Sequence, residues 1–232
     1  MTPEKKRELA NSYDKWWHKI DFGDGIISNG LKPISVENEL ACWGLSEDYF
    51  RDKSLLDVGA SDGGFSFYAE KSGALKVVAF DQEAEDRDKI IPDRTKGFKI
   101  AKKILDSKVD LVTGDLDQPN ALDNLGKFDI VLFAGVFYHL ENPFIALRNI
   151  KSTLKNGSKL FVETNFSHLN TGDAPHLEFH PKNSLNGDYT NFFSPNPSCL
   201  KFMLEEIGDF HLINNETKIA GRRFWQQYVY KK

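Results

Sequence analysis

Short apolar runs alternate with amphipathic stretches from residue 54 onward, and this alternation is the main structural signal in the chain. The apolar runs predict strands at residues 55–58, 77–80, 109–112, 128–133 and 158–163. Helical periodicity between these runs predicts helices at residues 65–71, about 95–107 and 142–156. Strands that alternate with helices form a parallel, doubly wound sheet with helices on both faces. We therefore predict an α/β fold.

The end of the chain departs from this alternation. A helix is predicted at 198–207, and two further strands at 210–217 and 224–230 flank the turn residues Ala220 and Gly221. Two adjacent strands with a tight turn form an antiparallel hairpin. The complete prediction is a seven-stranded sheet that is mostly parallel and ends in an antiparallel hairpin.

Two segments lie outside the regular pattern. Residues 1–53 contain turn signals at Asp24-Gly25 and Asn29-Gly30 and a helix near 35–45, with Ser35 as its predicted N-cap. Residues of about 165–197 are rich in Asn, Pro, His and aromatic side chains. A segment of that length in a compact domain often acts as a lid or a binding insertion.

The glycine-rich turn after the first strand carries the strongest chemical signal. It has the spacing D-x-G-x-S-x-G-G, with Asp57 before the first glycine and Ser61 at the place of the second. A dinucleotide site has G-x-G-x-x-G, which sets a pyrophosphate on a helix N-terminus. An acid would repel a pyrophosphate, but it suits a ligand that carries an ammonium group. An ordinary strand-to-helix turn is the alternative.

Polar residues follow the other predicted strands, where parallel sheets bind their ligands. Asp81 ends the second strand, where a carboxylate can accept both hydroxyls of a ribose, although a solvated Asp is nearly as common there. Asp115 and Leu116 follow the third, where a carboxylate could accept from an adenine amino group or simply stabilise a turn. The segment from Phe133 to His139 follows the fourth and should face the reacting end of the ligand.

Composition and charge limit the class of protein and its cellular location. The 232 residues include 40% hydrophobic side chains, which is enough for one large core, and the formal net charge of -4 provides no global basic field for nucleic acid. Cys42 and Cys199 are too few for a disulfide framework. The charged N-terminus is unlike a signal peptide, and no apolar run approaches the ~20 residues of a membrane span. We predict a cytoplasmic protein with no membrane contact.

Taken together, these features resemble the class I S-adenosylmethionine-dependent methyltransferases, whose fold is Rossmann-like. The resemblance covers about residues 54–232 and implies S-adenosylmethionine as the cofactor, with residues 1–53 as an extension that caps the active site. The predicted cofactor contacts are Trp17, Asp57, Gly59, Ala60, Ser61, Gly63, Phe65, Asp81, Gln82, Asp115, Leu116, Phe133 and Gly135. A core anchor is the more common role of a tryptophan and is the alternative for Trp17.

A narrower resemblance points to the tRNA wobble-uridine carboxymethyltransferases and their relatives. The stretch FDIVLFAGVFYHLENP at 128–143 looks like their FDxVxxxGVLYHxxxP, and the strand ending in Glu163-Thr164 is similar to their LVLET. The chain differs in having Ala134 where those enzymes carry Met, and in having Ser61-Asp62 in place of a Gly-Ser or Gly-Asn pair.

Candidate catalytic and acceptor-binding residues follow from the same segments. His139 is the predicted general base, with a structural histidine as the alternative, and Tyr138 could bind the acceptor or the carboxylate of the cofactor. The other predicted acceptor contacts are His176, Tyr189 and Arg223. His176, Glu178 and His180 alternate in one segment, but two histidines and one carboxylate favour a polar loop, so we predict no metal.

Three functions remain distinguishable. The first is methyl transfer to an oxygen or nitrogen of a small-molecule or sugar-like acceptor. The second is modification of a tRNA wobble uridine by methyl or carboxymethyl transfer, which the acidic charge disfavours. The third is hydride transfer by an NAD-linked oxidoreductase, which the missing G-x-G-x-x-G disfavours. A fourth alternative is a binding module without catalytic activity, but it would leave the complete set of motifs unexplained.

Overall fold

A computed structural model describes residues 1–82, 94–167, 169 and 172–232. The chain divides into two compact units, residues 1–114 and 115–232. Residues 83–93, between the predicted second strand and the predicted helix at about 95–107, lie outside the described residues, as do three positions of the 165–197 segment.

The first unit contains the first half of the predicted alternation. Its strands are β1 (Ser54–Val58), β2 (Lys76–Asp81) and β3 (Asp110–Thr113). Its helices are α1 (Pro3–Asn11), α2 (Val36–Cys42), α3 (Glu47–Phe50), α4 (Gly64–Lys71) and α5 (Arg94–Leu105). Strand β2 pairs in parallel with both β1 and β3, as the pattern predicts.

The N-terminal segment of this unit has its own small core. Trp16 is 1% exposed, donates its indole N–H to the Ala10 carbonyl at 2.9 Å, and packs edge-on against Phe22. Asp21 and Ile27 form an antiparallel bridge around the predicted turn, and the hydroxyl of Ser35 caps α2 at the Asn38 N–H. The sequence prediction for this segment is therefore correct in its turn and in its second helix.

The second unit contains the remaining strands. They are β4 (Phe128–Ala134), β5 (Leu154–Asn165), β6 (Leu177–Phe179), β7 (Phe193–Pro195), β8 (Phe210–Ala220) and β9 (Arg223–Tyr230). The helices are α6 (Pro143–Ser152) and α7 (Pro197–Ile207), with short 3-10 turns at Asp123–Leu125 and Phe137–His139. Strands β4 and β5 are parallel, while β9 pairs antiparallel with both β5 and β8. This confirms the predicted change from parallel strands to a terminal hairpin.

The predicted end of the helix at residues 156–157 is wrong. Helix α6 ends at Ser152. The hydroxyls of Ser152 and Thr153 donate to the carbonyls of residues 149 and 150, and these carbonyls would otherwise accept the backbone N–H groups of a further helical turn. Strand β5 already begins at Leu154, and its pairing with β4 shifts between Phe128 and Ile130. Gly157, with φ of 85°, lies inside that irregular stretch of strand rather than after a helix.

Helix α6 starts within one residue of the predicted start at residue 142. Pro143 occupies its first position, whereas the Asn142 side chain makes no capping hydrogen bond within the described structure. The carboxylate of Asp117 instead accepts the backbone N–H groups of Glu141 and Asn142 at 3.0 and 2.9 Å.

The segment of residues 165–197, which the sequence predicts to be irregular, contains two strands, because β6 and β7 pair antiparallel within it.

None of the helices in the described part of the chain is both long enough and apolar enough to cross a membrane.

Candidate cofactor and acceptor sites

The glycine-rich turn of the first unit leaves β1 in left-handed backbone conformations. Gly59, Ser61 and Gly63 have φ of 78°, 56° and 84°, and glycine adopts such angles without the cost that a Cβ imposes. A Cβ on Gly63 would lie 2.5 Å from the Phe67 ring and 2.6 Å from the Phe98 ring. The turn is therefore packed on one side by aromatic rings, and Gly63 leaves no room for a side chain.

Asp57 lies at the carboxyl end of β1 and is 2% exposed. Burial raises the pKa of this carboxyl to about 7, and the nearby Asp81 charge adds to that shift, while the hydroxyl of Ser66 donates to Asp57 Oδ2 at 2.6 Å and opposes it. A carboxyl with its pKa near neutrality ionises readily when a cation approaches. Asp57 is thus suited to a ligand with a positive charge.

Asp81 closes the same turn from the end of β2. Its Oδ2 accepts the Ser61 N–H at 2.5 Å and its Oδ1 accepts the Gln82 N–H at 2.7 Å. Each carboxylate oxygen accepts more than one hydrogen bond, so this orientation is compatible with the predicted ribose contact. The structure brings together Asp57, Ser61, Gly63 and Asp81, as the motif predicts.

A buried Asp–His pair beside this turn was missed by the sequence interpretation. His18 Nδ1 lies 2.5 Å from Asp62 Oδ1, and Asp62 Oδ2 accepts the backbone N–H groups of Trp17 and His18 at 2.7 and 3.0 Å. Trp17 is half-buried, and the Lys32 ammonium lies 5.9 Å from its ring centre. The sequence interpretation selected Trp17 but not His18 or its link to Asp62, because these two residues are 44 positions apart in the chain.

The burial of two carboxylates at this turn fits S-adenosylmethionine. Asp57 and Asp81 are 2% and 5% exposed, which suits an ammonium and a ribose and opposes a pyrophosphate. Asp57, Gly59, Ser61, Gly63 and Asp81 would hold the cofactor there. Bound S-adenosylmethionine supplies an electrophilic methyl group on a sulfonium.

Asp115 and Leu116 stand at the start of the second unit. Asp115 Oδ1 accepts the Asp117 N–H at 3.0 Å, and Oδ2 accepts the Gln118 side-chain amide at 3.0 Å. These bonds are those of a turn-forming aspartate, which was the alternative interpretation of this residue. A contact of Asp115 or of the buried Leu116 with the cofactor stays a prediction.

The segment after β4 brings several predicted residues together. Phe133 is fully buried in the strand, and Gly135, with φ of 74°, donates its N–H to the Glu163 carbonyl at 3.0 Å. A Cβ on Gly135 would lie 3.5 Å from the Tyr138 hydroxyl. The Arg223 guanidinium donates to that hydroxyl at 3.2 Å and lies 5.0 Å from the Tyr138 ring centre.

Arg223 is also bound to an acid that the sequence interpretation did not select. Its Nη1 lies 2.9 and 3.0 Å from the two carboxylate oxygens of Glu163, which is 5% exposed. Burial opposes the Arg223 charge, but Tyr138 and Glu163 offset it, so the pKa of Arg223 is raised. Glu163 appeared in the sequence only as part of the strand that is similar to LVLET.

His139 has a defined ring orientation within the second unit. Its Nδ1 lies 3.0 Å from both the carbonyl oxygen and the hydroxyl of Thr190, and that hydroxyl donates to Asp188 Oδ1 at 2.7 Å. A carbonyl only accepts hydrogen bonds, so Nδ1 is the nitrogen that carries a proton. The neutral ring then has its basic lone pair on Nε2. Neither Thr190 nor Asp188 was predicted.

The remaining candidates lie in the 165–197 segment. Tyr189 is 50% exposed beside Thr190, and the His176 N–H donates to Asn196 Oδ1, against the start of α7. The other side chains of the alternating trio are used locally: the Ser167 hydroxyl donates to Glu178, and His180 Nε2 lies 2.8 Å from the Ser194 hydroxyl. Within the described residues there is no group of three potential metal ligands. Acceptor contacts of His176 and Tyr189 stay predictions.

The chain is similar in sequence to proteins of known family. A family model described as "Methyltransferase domain" matches residues 42–208. The tRNA U34 carboxymethyltransferase of Helicobacter acinonychis is 28% identical over 167 residues, which are 71% of this chain and 59% of that protein. The Campylobacter hominis protein of the same name is 31% identical over 49% of this chain and 36% of its own length. The chain thus spans between about a third and three fifths of these two relatives.

Solved structures show the same fold. The N-terminal domain of EvdMO1, crystallised in the presence of SAH and D-fucose, superposes with a TM-score of 0.69 at 16% identity, covering 100% of this chain and 97% of that one. The 1,6-didemethyltoxoflavin-N1-methyltransferase of Burkholderia thailandensis, with S-adenosylhomocysteine bound, has a TM-score of 0.56 at 15% identity and covers 85% of this chain and 76% of its own. The Rossmann-like fold class is confirmed.

The sequence motif, the geometry of the first unit and the family match agree on the cofactor and the enzyme class. The chain therefore belongs to the methyltransferase domain family, with S-adenosylmethionine as its cofactor.

Proposed function

We propose that this protein transfers the methyl group of S-adenosylmethionine to an oxygen or nitrogen of a small, sugar-like acceptor. The observation that carries the proposal is the fixed orientation of His139, whose Nδ1 faces the Thr190 carbonyl at 3.0 Å. A hydroxyl or amine that attacks a methyl group must lose a proton, and His139 Nε2 provides the base for it.

The residues around His139 support this role by positioning it. Thr190 holds the ring through its carbonyl and its hydroxyl, and Asp188 orients that hydroxyl. Tyr138 precedes His139 in the same 3-10 turn, and Arg223 fixes its phenol oxygen. Holding a nucleophile and its base in one geometry can supply several kcal/mol of the barrier reduction in a displacement reaction, about 7–11 kcal/mol at best.

The charges of the second unit favour an uncharged acceptor. Glu163 contacts Arg223 through both of its oxygens and neutralises the cation, so an anionic acceptor would compete with a paired carboxylate for it. EvdMO1, whose N-terminal domain shares this fold, was crystallised with D-fucose, and this supports a sugar-like acceptor here.

Modification of a tRNA wobble uridine is the second candidate. It is supported by several relatives named tRNA U34 carboxymethyltransferase at 26–31% identity. The pairing of Arg223 with Glu163 and the net charge of -4 count against it, because a carboxymethyl donor and an RNA both bring negative charge. An NAD-linked oxidoreductase is disfavoured by the acidic groups at the glycine turn.

The test is a comparison of acceptors and donors on the purified chain. S-adenosylmethionine is incubated with D-fucose and a set of uncharged sugars and glycosides, or with total tRNA from a strain that cannot modify U34. Mass spectrometry then follows S-adenosylhomocysteine and a mass increase of one methyl group. A methylated sugar supports the proposal. Modified tRNA without sugar methylation, in particular with carboxy-S-adenosylmethionine as donor, would replace it by the second candidate.

The cytoplasmic location, the role of residues 1–53 as a cap and the role of residues 165–197 as a lid remain predictions. We expect the lid at residues 165–197 to affect acceptor choice rather than cofactor affinity.

A further inference from the structure

His18 has a buried nitrogen whose function the enzyme class does not explain. The side chain is 3% exposed, and its Nδ1 is bound to Asp62 Oδ1. Its Nε2 is buried and has no hydrogen-bond partner among the described residues. Burying a polar atom without a partner costs roughly 1–3 kcal/mol, so such an atom indicates a partner that binds from outside the chain.

The surroundings of the ring place it beside the first turn of α4. Its ring packs edge-on against Phe65 at a centroid distance of 4.6 Å. A Cβ on Gly64 would lie 2.6 Å from His18 Cγ and 2.7 Å from His18 Cβ, so only glycine permits this approach. Gly64 is the first residue of α4 and directly follows Gly63 of the cofactor turn.

The same place favours a negative group. Gly63 is the N-cap residue of α4 and has no side chain to cap the first backbone N–H groups, and the N-terminus of a helix attracts anions. The Lys32 ammonium lies 4.8 Å from the centre of the Phe65 ring that His18 also contacts. This ammonium is paired with both carboxylate oxygens of Glu39 at 2.8 Å, however, and leaves the anion to the helix N-terminus and His18. Asp62 accepts two backbone N–H groups besides the imidazole, so its charge is satisfied and the ring is fixed.

We propose that His18 is a cofactor-binding residue, which donates from Nε2–H to the carboxylate at the amino-acid end of S-adenosylmethionine. In the complex the ring is an imidazolium that bridges this carboxylate and Asp62, with Nδ1–H directed to Asp62 and the second proton, on Nε2, directed to the ligand. The ammonium of the cofactor has buried carboxylates available in the same unit, Asp57 and Asp81, whereas its carboxylate needs a donor such as His18. The inference rests on S-adenosylmethionine being the cofactor.

Two substitutions separate ligand binding from a structural role. His18→Asn places an amide near Nδ1, where it can still donate to Asp62, but removes the donor at Nε2. His18→Gln is the matched control that restores an amide near Nε2. Isothermal titration calorimetry measures the binding of S-adenosylhomocysteine and of its decarboxylated analogue, which keeps the ammonium, to the wild type and to both variants.

We expect His18→Asn to weaken S-adenosylhomocysteine binding by about tenfold or more, the size of a lost charge-assisted hydrogen bond, and to change binding of the decarboxylated analogue by less than about twofold. His18→Gln should recover part of the loss. Equal losses for both ligands, or no loss for S-adenosylhomocysteine in folded His18→Asn, would overturn the proposal. Failure of the wild type to bind S-adenosylhomocysteine would contradict the cofactor assignment instead.

A measurement on the unaltered protein covers the case in which the variants do not fold. With ¹⁵N-labelled histidine, S-adenosylhomocysteine should shift the His18 Nε2 resonance, and the decarboxylated analogue should shift it much less. An unchanged Nε2 resonance on saturation with S-adenosylhomocysteine would contradict the contact.

Discussion

The two units place their functional side chains in different environments. In the first, the polar groups around the cofactor turn are buried and hydrogen-bonded to neighbouring backbone or side chains, as for Asp57, Ser61 and Asp81. In the second, His139, Thr190 and Arg223 are only partly buried. The cofactor groups are thus held rigidly by the fold, whereas the acceptor groups depend on a few contacts with the 165–197 segment and β9.

From this contrast we expect the buried cofactor groups to be common to the family and the partly exposed acceptor groups to vary within it. A shared cofactor requires the same turn and the same carboxylates, and burial holds them in place. Acceptors differ, and partly exposed residues on a 3-10 turn and a long segment can change with little effect on the core. The following predictions test whether the two units divide binding and chemistry in this way.

Substitution of the proposed base should have the largest effect. His139→Ala removes the proton acceptor of the second unit, and we expect turnover to fall by about 10²–10⁴-fold, the usual contribution of general base catalysis. The affinity for S-adenosylhomocysteine, measured by calorimetry, should change by less than about twofold, because His139 belongs to the second unit and the cofactor turn belongs to the first. A variant with unchanged turnover would show that His139 is structural.

Asp57→Asn should reveal the cost of burying an acid in the first unit. Because the pKa of Asp57 rises from 3.8 to about 7 in the folded protein, the free energy of unfolding decreases as the pH rises from about 4 to about 7. The variant lacks this loss, so above pH 7 it should be more stable than the wild type by up to about 4 kcal/mol, at roughly 1.36 kcal/mol per pKa unit.

Urea unfolding of Asp57→Asn and wild type between pH 5 and pH 8 measures this difference. The same variant should bind S-adenosylhomocysteine more weakly, since an amide does not attract an ammonium as a carboxylate does. A stability difference that stays constant across this pH range would contradict the raised pKa.

Gly63 tests the packing of the first unit. It has a left-handed helical conformation, with φ of 84° and ψ of 13°, and a Cβ there would lie 2.5 Å from the Phe67 ring and 2.6 Å from the Phe98 ring. Alanine costs about 1–2 kcal/mol for this backbone conformation, and crowding should add about 1–3 kcal/mol. Chemical unfolding of Gly63→Ala should therefore show a loss of more than about 2 kcal/mol, and a loss below about 1 kcal/mol would rule out a tightly packed turn.

The smallest expected effect concerns the positioning of His139. Thr190→Val removes the hydroxyl near Nδ1 but keeps the backbone carbonyl, so we expect a decrease of about 3–10-fold in kcat, near 1 kcal/mol, with KM for S-adenosylmethionine unchanged. Thr190→Ser retains the hydroxyl and should restore most of the rate. Equal rates for the valine and serine variants would leave the Thr190 carbonyl as the sole orienting group.

The sequence predicted local features well and distant pairings poorly. The glycine turn, the order of strands and the terminal hairpin were correct because each depends on neighbouring residues. The pairs His18–Asp62, His139–Thr190 and Glu163–Arg223 join residues that are 44, 51 and 60 positions apart, which no local pattern encodes. The end of α6 was misplaced because Ser152 and Thr153 bond back to the helix before Gly157 is reached.

Asp62 has a consequence for recombining this protein with its relatives. Its carboxylate is 2% exposed at the side chain, and three of its donors come from residues 17 and 18. A chimera that keeps the strands but brings in an N-terminal segment without a histidine at position 18 would leave this buried carboxylate without its side-chain donor. The N-terminal segment and the glycine turn must therefore be exchanged as one module, and their sequences should change in step among homologues.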